Sequence, residues 1–475
     1  MAATHVASRY NFCVPLKDGA LLYNLSSGRL VRFAVGDGKK LARLLGSSTI
    51  AYVERVGFAI DTWNLLVDGG FVVPVDFDEV AEIKRRYRKA RRDAPVVVTI
   101  AVTYDCNLRC FYCYENRRSE RLEAADVDRI LSRLDTSMEK AQQRTVHVDW
   151  YGGEPLLNLE FIEYASPRLR EHVAARNFAY SASIISNGTR WPDDPAAFVR
   201  RHAIREVQIS FDGARGQHNK YRAFHDQRGS SFDEAVRVVD ALVSECKVNV
   251  RLNLDANSAR TVSRFLEFTM ARRWFQPPNR GVLQPARLAA FSKRSAFMES
   301  SQLSVTDFEG LKAHIRRISA GAVRIEEAET IDGFPRPRTS VCAALASTSF
   351  VVGADVREYR CGLQAGEAGR DMGALVRSHR SLSLFRPESH GTDDSAFWAK
   401  FDPTRRAKCS RCSFLPVCWG GCPKGHLEDN QHALDEQCRY WRENLARLIS
   451  AGAGEEQPSQ LTYGEDFQIR EHTCV

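Results

Sequence analysis

Apolar runs alternate with segments of helical apolar spacing along the middle of the chain, from about residue 95 onward. Val96–Tyr104 is a continuous β-branched run, which is typical of a parallel strand buried on both faces. The alternation recurs at intervals of roughly thirty residues, which predicts βα units around a parallel sheet or barrel. Further strands are expected at 146–151, 179–186, 206–211 and 247–254, with a weakly marked sixth at 280–291. The intervening helices are expected at 122–139, 159–176, 193–202, 231–245 and 259–273.

The first ninety residues have a different pattern, which predicts a separate module over 1–92. Leu21–Phe33 contains two apolar runs around Ser-Ser-Gly, which indicates a hairpin with its turn at these small residues. Helical spacing at 38–46 and 49–68 is followed by a short strand at 69–74. Two strands, short helices and a closing strand together predict a small winged-helix-like fold.

Beyond about residue 335 the alternation stops and cysteine becomes frequent. Seven of the 13 cysteines fall between 342 and 438, in a stretch rich in glycine and turns. A segment with so little apolar periodicity needs cross-links or metal to hold a structure. We therefore expect a barrel domain at 93–335, a cysteine-rich metal-stabilised domain at 336–450 and a polar tail at 451–475.

Length and composition narrow the class of protein. The chain has 475 residues, enough for about three domains, and its 44% hydrophobic content excludes a disordered chain. No apolar run reaches about 18 residues and the N-terminus lacks a secretory-signal pattern, so we expect a cytoplasmic protein without a membrane span. Structural disulfides are rare in that compartment, which leaves metal as the leading explanation for the cysteines.

The charge is concentrated in one run. The net charge is +8, and seven of the nine residues from Lys84 to Arg92 are lysine or arginine. Such a run can attract nucleic acid, but no nucleic-acid motif accompanies it. A solvated helix face between two domains is therefore the preferred interpretation, and we expect no nucleic-acid partner.

A cysteine triplet directly follows the first predicted barrel strand. Cys106, Cys110 and Cys113 have the spacing CxxxCxxC on a loop at the C-terminal end of that strand, where barrel folds place their chemistry. Structural zinc requires four ligands, whereas three thiolates on a cubane iron–sulfur cluster leave one iron for a substrate or cofactor. The triplet therefore favours an iron–sulfur cluster with an open iron.

The triplet, with Tyr112 before its last cysteine, resembles the signature of radical S-adenosylmethionine (SAM) enzymes. The resemblance implies an α/β fold with a partial (β/α)6 TIM-like barrel, and a [4Fe–4S] cluster whose open iron chelates SAM. It also implies that reduction of the cluster cleaves SAM to a 5′-deoxyadenosyl radical, which removes hydrogen from an unactivated C–H bond. The protein would then supply geometry and shielding.

Short motifs at the next three strand ends match the SAM site of the same family. The resemblance implies that the glycines of Gly-Gly-Glu-Pro let the backbone approach the SAM amino group, and that Ser210 and Arg222 hold the SAM carboxylate. Asp212 and His218 are equally well explained by turn stabilisation. The candidate cofactor-binding residues are Tyr112, Gly152, Gly153, Glu154, Ser186, Asn187, Ser210, Asp212 and Arg222.

A second cysteine cluster follows the pattern CxxCxxxxxCxxxC, which by itself is ambiguous between zinc and iron–sulfur. It resembles the SPASM extension of radical SAM peptide-modifying enzymes, which implies two auxiliary [4Fe–4S] clusters and three clusters in all. The implied ligands are Cys409, Cys412, Cys418 and Cys438 for one cluster, and Cys342, Cys361 and Cys422 for the other, nearer the barrel. With three cysteines, the second set leaves one iron open or held by another kind of ligand.

The resemblance also implies a function. In maturases of ribosomally made peptides, a winged-helix element often precedes the barrel and binds the precursor's leader peptide as an added strand, and Tyr10–Phe33 resembles that element. The alternative is a plain N-terminal cap on the barrel. The expected enzyme abstracts hydrogen from a residue of a precursor peptide and forms a thioether or C–C cross-link. Its other partner would be a one-electron donor such as flavodoxin or ferredoxin.

Two other functions stay open. A sulfatase maturase would oxidise cysteine or serine to formylglycine, but such enzymes often carry an acidic residue where Gly362 follows Cys361. A DNA-binding iron–sulfur sensor could use the N-terminal module and the basic run to bind phosphates. A sensor would have no need of the SAM-site motifs.

Overall fold

The computed structural model describes residues 5–46, 57–115, 117–288, 297–298, 300–326, 330, 333–376 and 394–455. The chain divides into two compact units, each assembled from separate stretches of sequence. The terminal unit comprises Met1–Ala90, Ala328–Val341 and Phe401–Val475, and the barrel unit comprises Arg91–Glu327 and Cys342–Lys400. The predicted domain boundaries stay a prediction, because division by compactness does not define functional domains.

The N-terminal part of the terminal unit contains a three-stranded antiparallel sheet and short helices. The predicted hairpin is confirmed, and a third strand that the pattern did not predict pairs with its first strand. The elements are β1 His5–Ala7, β2 Asn11–Leu16, β3 Gly19–Asn24, β4 Arg29–Ala34, α1 Gly38–Gly46, α2 Ile60–Asp68, β5 Val72–Pro74 and α3 Glu79–Arg92.

This part has its own apolar core. Leu22 of β3, Leu41 and Leu44 of α1, and Leu66 of α2 are completely buried together. The helix predicted at 49–68 is seen from Ile60 onward, and 47–56 lie outside the described residues. β1 pairs antiparallel with β5, apart from the three-stranded sheet. The assignment of this N-terminal part as a winged helix stays a prediction.

The basic run lies on α3, in agreement with its interpretation as a helix face. Its Glu82 forms ion pairs with Arg85 and Arg86, one turn away. Ile83 and Tyr87 are buried on the opposite side of the helix. The run is therefore an amphipathic helix whose basic face is partly neutralised by its own carboxylate.

Six parallel strands, β6–β11, confirm the predicted βα units of the barrel unit. Their order in the sheet follows the chain, with each strand parallel to its neighbour. The strands are β6 Val96–Ala101, β7 Thr145–Tyr151, β8 Ala179–Ser186, β9 Ile204–Phe211, β10 Lys247–Leu254 and β11 Gly281–Arg287. The helices are α4 Val127–Lys140, α5 Leu159–Ala174, α6 Pro195–Arg201, α7 Arg215–Tyr221, α8 Ser231–Leu242, α9 Val262–Ala271, α10 Val305–Ser319 and α11 Asp394–Lys400.

The sheet extends beyond β6 with short strands from the segment after residue 335, where the regular alternation of strands and helices is expected to stop. Three more strands extend it, β12 Phe350–Val352, β13 Arg357–Tyr359 and β14 Gly373–Ala374. β12 is parallel to β6, and the other two strands add antiparallel. Strands of two or three residues carry too few positions to show a period of two, so the pattern does not reveal them.

The two faces of the barrel sheet differ in chemistry. The outer face is apolar and packs on the helices, with Val148, Ile184 and Val250 completely buried. The inner face is polar: Asp149 accepts a hydrogen bond from Ser183 Oγ at 2.5 Å, and its Oδ1 lies 3.0 Å from His147 Nε2. Because side chains alternate along a strand, the same strands that build the apolar core also present a polar lumen.

The C-terminal part of the terminal unit consists of short helices followed by a long one. They are α12 Ala407–Ser410, α13 Leu415–Cys418, α14 Pro423–Leu427 and α15 Gln431–Gly452. α15 begins with Asn430, whose side chain accepts from Ala433 N at 3.1 Å, and it reaches into the predicted tail, of which 456–475 lie outside the described residues. None of the helices in the described part of the chain combines the length and the apolar character that a bilayer span requires.

Candidate functional site

The cysteine triplet lies where the sequence predicts it, on the loop that follows β6 at the C-terminal edge of the sheet. Backbone hydrogen bonds hold this loop: Arg109 N donates to Ala223 O at 2.9 Å, and His225 N donates to Asn107 O at 3.2 Å. The loop conformation is therefore fixed by the segment after α7. We call residues 105–115 the cysteine loop.

The three thiols of the triplet lie within range of one another's charge. Burial raises the pKa of Cys106 to about 12, and the charges of Cys110 and Cys113 act in the same direction. Burial likewise raises the pKa of Cys110 to about 12. In the part of the chain that is described, no three His, Cys, Asp or Glu side chains converge on the position of a single ion. Partly buried thiols beside one another fit a cationic iron group, which binds them as thiolates.

The Gly-Gly-Glu segment after β7 packs directly against the cysteine loop. A Cβ at Gly152 would lie 2.4 Å from Thr103 O, and one at Gly153 would lie 2.3 Å from Asp105 O. Gly153 N donates to Thr103 O at 3.0 Å. The glycines thus allow the segment after β7 to pack against the segment after β6. The resemblance did not imply this role. Their contact with the SAM amino group stays a prediction.

Glu154 ties the second strand end to the third. Its completely buried carboxylate accepts hydrogen bonds from Asn187 N at 2.7 Å, Ser186 Oγ at 2.9 Å and Leu156 N at 3.2 Å. Burial raises the pKa of Glu154 to about 7, although these hydrogen bonds oppose the shift. Ser186 Oγ also accepts from Trp191 Nε1 at 3.1 Å. Glu154 and Ser186, both predicted site residues, therefore hold the site in shape through these internal hydrogen bonds.

Asn187 connects the third strand end to the cysteine loop. Its Nδ2 lies 3.7 Å from Cys106 Sγ and donates to Asn107 Oδ1 at 3.0 Å. Its Oδ1 accepts from Thr189 N at 2.9 Å. An amide donor beside a cluster thiolate stabilises the ionised sulfur, so Asn187 fits the predicted site.

Asp212 is the centre of a buried network at the fourth strand end. It accepts from Tyr112 OH at 2.7 Å, from Arg222 Nε at 2.8 Å and from Asn253 Nδ2 at 3.0 Å. Burial alone would lower the pKa of Arg222, but the Asp212 charge raises it well above its usual range. Asp212 therefore acts as a counterion as well as a turn residue, and it joins two other predicted residues, Tyr112 and Arg222.

His218 lies in the core behind this network. Its ring is completely buried and packs on Phe211 and Phe232, at centroid distances of 5.3 and 5.5 Å. Burial lowers the pKa of His218 well below its usual value, so the ring is neutral. Neither ring nitrogen has a hydrogen-bond partner among the described residues. The structure thus supports a packing role for His218.

Sequence reasoning missed a polar group at the barrel mouth. Tyr151 OH donates to Glu115 Oε1 at 2.6 Å and also hydrogen-bonds with Tyr114 OH. Burial raises the pKa of Glu115 to about 7. Arg251, on the inner face of β10, lies near Tyr114 and Tyr151. Tyr151 directly precedes Gly152, and Glu115 lies two residues after Cys113. No sequence motif predicts that these two side chains meet.

Four of the C-terminal cysteines lie together. Burial raises the pKa of Cys418 to about 12, Arg338 opposes the shift, and the charges of Cys412, Cys438 and Cys409 add to it. These are the four thiols that the resemblance assigns to one auxiliary cluster. They lie on or beside α12, α13 and α15 of the terminal unit.

The backbone around this group is sharply folded. Trp419, Gly420 and Gly421 all have positive φ, at 46°, 79° and 78°. A Cβ at Gly420 would lie 2.7 Å from Pro403 Cβ, so glycine is required there. Arg338 donates to Pro416 O and Val417 O, each at 2.9 Å.

The other auxiliary set stays a prediction from sequence. Cys342 and Cys361 belong to the barrel unit, and Cys422 belongs to the terminal unit. Cys342 is exposed, and the other two are partly buried. Cys422 N donates to Gln437 Oε1 at 2.8 Å, which anchors this residue to α15.

Comparison with known proteins gives three similarities. Residues 100–255 match the model of the Radical SAM superfamily. The serine-type anaerobic sulfatase-maturating enzyme of Klebsiella aerogenes is 25% identical, over 72% of this chain and 83% of its own length. The mycofactocin maturase MftC of Mycolicibacterium smegmatis is 29% identical, over 34% of this chain and 40% of its own length.

A solved structure shares the fold. Native anSMEcpe with bound AdoMet and Cp18Cys peptide superposes with a TM-score of 0.55 at 18% identity, covering 76% of this chain and 99% of that one. At this identity the likeness concerns the fold alone. It agrees with the partial barrel of β6–β11 and its outer helices.

Proposed function

We propose that this chain, a radical SAM enzyme, matures a ribosomally synthesised precursor peptide by removing hydrogen from one residue and forming a thioether or C–C cross-link. The family implies SAM and a [4Fe–4S] cluster as cofactors. Together they supply, when bound, a radical strong enough to take hydrogen from an unactivated carbon. Cys106, Cys110 and Cys113 would hold that cluster.

The observation that carries the peptide-maturase proposal is the open edge of β4. β4 is the last strand of the three-stranded sheet, and no described residue pairs with its outer edge. Its exposed side chains include Arg29 and Arg32. An open edge presents a row of unpaired backbone donors and acceptors, which an extended peptide can complete as an added strand. A leader peptide bound there would deliver its core segment to the enzyme.

The other edge of the same sheet is less accessible. On β2 the ring of Phe12 packs against Phe414, with a centroid distance of 5.1 Å. Both residues belong to the terminal unit. The asymmetry makes β4 the edge that we assign to the leader peptide.

Auxiliary clusters held by the C-terminal cysteines would, when bound, complete the electron balance of the proposed reaction. A carbon radical that forms a bond to sulfur or carbon leaves one electron to be removed. We assign that role to two auxiliary clusters, one held by Cys409, Cys412, Cys418 and Cys438, the other by Cys342, Cys361 and Cys422. A flavodoxin or ferredoxin would supply the electron that starts each turnover.

The second candidate is formylglycine formation in a sulfatase. It is favoured by the K. aerogenes relative, which is matched over most of its length. It is disfavoured by Gly362, which stands where such maturases often carry an acidic residue. Both reactions remove two hydrogen atoms when serine is the substrate residue, so product mass alone does not separate them.

Anaerobic turnover with the peptide encoded beside this gene tests the proposal. With SAM and a one-electron reductant, we expect a product lighter by two hydrogen atoms whose backbone does not fragment between the linked residues. We expect no reaction of that product with a hydroxylamine probe, because a cross-link carries no aldehyde. An aldehyde-positive product would establish formylglycine chemistry. Cleavage of SAM with an unchanged peptide would refute both.

A further inference from the structure

Arg360, which directly follows β13 and precedes Cys361, binds the backbone of a loop that comes earlier in the chain. Its Nε and Nη2 donate to Ala344 O at 3.1 and 2.8 Å. Nη2 also donates to Ala346 O at 2.5 Å, and Nη1 donates to Ser349 O at 2.7 Å. One guanidinium group therefore holds three carbonyl groups of this loop through four hydrogen bonds.

The loop held by Arg360 begins at another of the C-terminal cysteines. A single 3₁₀ turn directly follows Cys342 and leads into the loop. The far end of the loop is fixed to the barrel, because Val97 N of β6 donates to Ser349 Oγ at 3.2 Å. Arg360 thus connects the segments of Cys342 and Cys361 to each other and, through this loop, to the sheet.

The charged groups around Arg360 are mostly positive. All four acceptors of its guanidinium are uncharged backbone oxygens. Burial lowers the pKa of Arg360, the charges of Arg133 and Arg91 act in the same direction, and that of Glu358 opposes them. Glu358 is itself paired with Arg133, whose Nε lies 2.6 Å from Oε2. Since Cys342 also lies near Arg360, this thiol faces an excess of positive charge.

We infer that Arg360 is a positioning residue for the cluster assigned to Cys342, Cys361 and Cys422, which we call the near cluster. It holds the loop of Cys342 against the segment of Cys361, and its charge raises the reduction potential of the near cluster. A cation has this effect because cluster thiolates are anionic, and reduction adds one more negative charge. The inference rests on the proposed function, which assigns this ligand set.

The charge of Arg360 has a consequence for the proposed cross-link. When the carbon radical bonds to the sulfur of a thiol or to a second carbon, the S–H or C–H bond there breaks. One proton passes to water, and one electron passes to the oxidised near cluster. Because the charge of Arg360 stabilises the reduced form, it makes this electron transfer more favourable.

A redox titration followed by electron paramagnetic resonance tests the charge, with no turnover required. It uses cluster-loaded wild type, Arg360→Gln and Arg360→Lys, and the transition that is lost in Cys361→Ala identifies the near cluster. At a fixed potential, Arg360→Gln should lower the ratio of reduced to oxidised near cluster about tenfold, equivalent to about 59 mV for one electron. Arg360→Lys should keep the wild-type potential, because it keeps the charge.

Hydrogen–deuterium exchange tests the holding role on the same proteins. Amides of 343–349 should exchange faster in both Arg360→Gln and Arg360→Lys, because neither side chain has the planar fork that reaches three carbonyl groups. Selective loss of about four irons from Arg360→Gln would also support the assignment, because only the near cluster would then depend on this residue. Loss of iron from all clusters with a lower unfolding midpoint would overturn it, since Arg360 would then be a general framework residue.

Arg357→Gln is the matched control, since it makes the same change of charge on β13. The Arg357 side chain is 40% exposed and paired with Asp371 at 2.7 Å, so solvent screens its charge. Its potential for the near cluster should equal that of wild type. Equal shifts in Arg357→Gln and Arg360→Gln would overturn the assignment, and so would wild-type potential and exchange in Arg360→Gln.

The iron content of wild type separates this inference from the proposed function. About twelve irons per chain with an unchanged potential in Arg360→Gln would refute only the role of Arg360. About eight irons, with no transition sensitive to Cys361→Ala, would refute the near cluster itself and with it the inference.

Discussion

The two cysteine groups of this protein are held in contrasting ways. The triplet of the barrel unit lies on a loop at the edge of six parallel strands, and hydrogen bonds from Asn187 and the 223–225 segment fix it. The four cysteines of the terminal unit lie on or beside helices of four residues and one long helix. The first group is shaped by a fold with its own core. The second lies largely on helices that end after a single turn, so we expect metal to supply much of the stability of their backbone.

The largest effect is expected when a cysteine of the barrel-unit triplet is replaced. Cys110→Ala should remove about four irons per chain and abolish reductive cleavage of SAM, because one thiolate of the cluster is lost. The barrel should keep its thermal unfolding midpoint, since the sheet does not depend on the cluster. Iron analysis, 5′-deoxyadenosine formation and calorimetry measure these three properties.

Cys246→Ala is the matched control, because Cys246 is a buried thiol behind the sheet with 4% exposure. It should keep its iron and its SAM cleavage. A Cys110→Ala protein that unfolds like a metal-stripped domain would contradict the contrast between the two groups.

The next effect is expected in the second group. Cys412→Ala should also remove about four irons, but here the surrounding backbone should lose its protection. We expect amide exchange over 401–455 to speed up by about 100-fold, equivalent to roughly 3 kcal/mol of local stability. Exchange in β6–β11 and cleavage of SAM should stay as in wild type.

Ser413→Ala, one position away, is the control for that experiment and should leave exchange unchanged. Hydrogen–deuterium exchange with mass spectrometry follows both regions in one sample. Unchanged protection over 401–455 in Cys412→Ala would show that the short helices are self-supporting.

A third substitution tests how the cysteine loop is held in place. Gly153→Ala places a methyl group 2.3 Å from Asp105 O, so the second strand end and the cysteine loop must separate. Such overpacking costs about 2–3 kcal/mol. We expect a lower unfolding midpoint in the urea titration and fewer irons retained after gel filtration.

Gly216→Ala is the control, since a Cβ there meets no heavy atom within 4 Å. Because Gly216 lies within α7, alanine should be neutral or stabilising by about 0.5–1 kcal/mol. Equal behaviour of the two variants would mean that the cysteine loop is not held by this contact.

The smallest effect concerns pH and the barrel scaffold. His202, at the end of α6, is buried with neither ring nitrogen hydrogen-bonded among the described residues. Burial lowers the pKa of His202 to about 4. The unfolded chain takes up this proton near pH 6.5 and the folded chain only near pH 4, so stability falls as the pH drops through that window. The loss at pH 5 should be roughly 2 kcal/mol.

His202→Leu should remove this loss, which is measured as the difference in urea midpoint between pH 7 and pH 5. His432→Gln, at an exposed position of α15, should leave the difference as in wild type. An unchanged pH difference in His202→Leu would mean that other groups govern the acid response of the barrel.

Much of the fold was predictable because its signals are local. The run Val96–Tyr104 and its successors show their burial in consecutive residues, so β6–β11 lie close to the expected positions. β2 and β12 escaped prediction for different reasons. β2 contains Pro15, which in a sequence argues against a strand, and β12 is three residues long and gains its place by pairing with β6.

The candidate site, too, was predictable only in part. The spacing of Cys106, Cys110 and Cys113 and the motifs after β7, β8 and β9 are visible in the sequence, and their placement at one sheet edge follows from parallel strands. The partners inside the site are not visible. The Asp212–Arg222 pair spans ten positions, but Tyr112 and Asn253 reach the same carboxylate from 100 and 41 positions away.

The sequence by itself determined the class of chemistry, because thiolate spacing and strand-end motifs are local requirements of a cluster and its cofactor. Tertiary structure alone decided which groups are spent on holding the site together and which remain for a ligand. Glu154, Ser186 and Asp212 look like ligand-binding residues in the sequence and are engaged in internal hydrogen bonds. Tyr151 and Glu115 share no motif, yet they form a hydrogen bond inside the site, because folding alone brings such distant positions together.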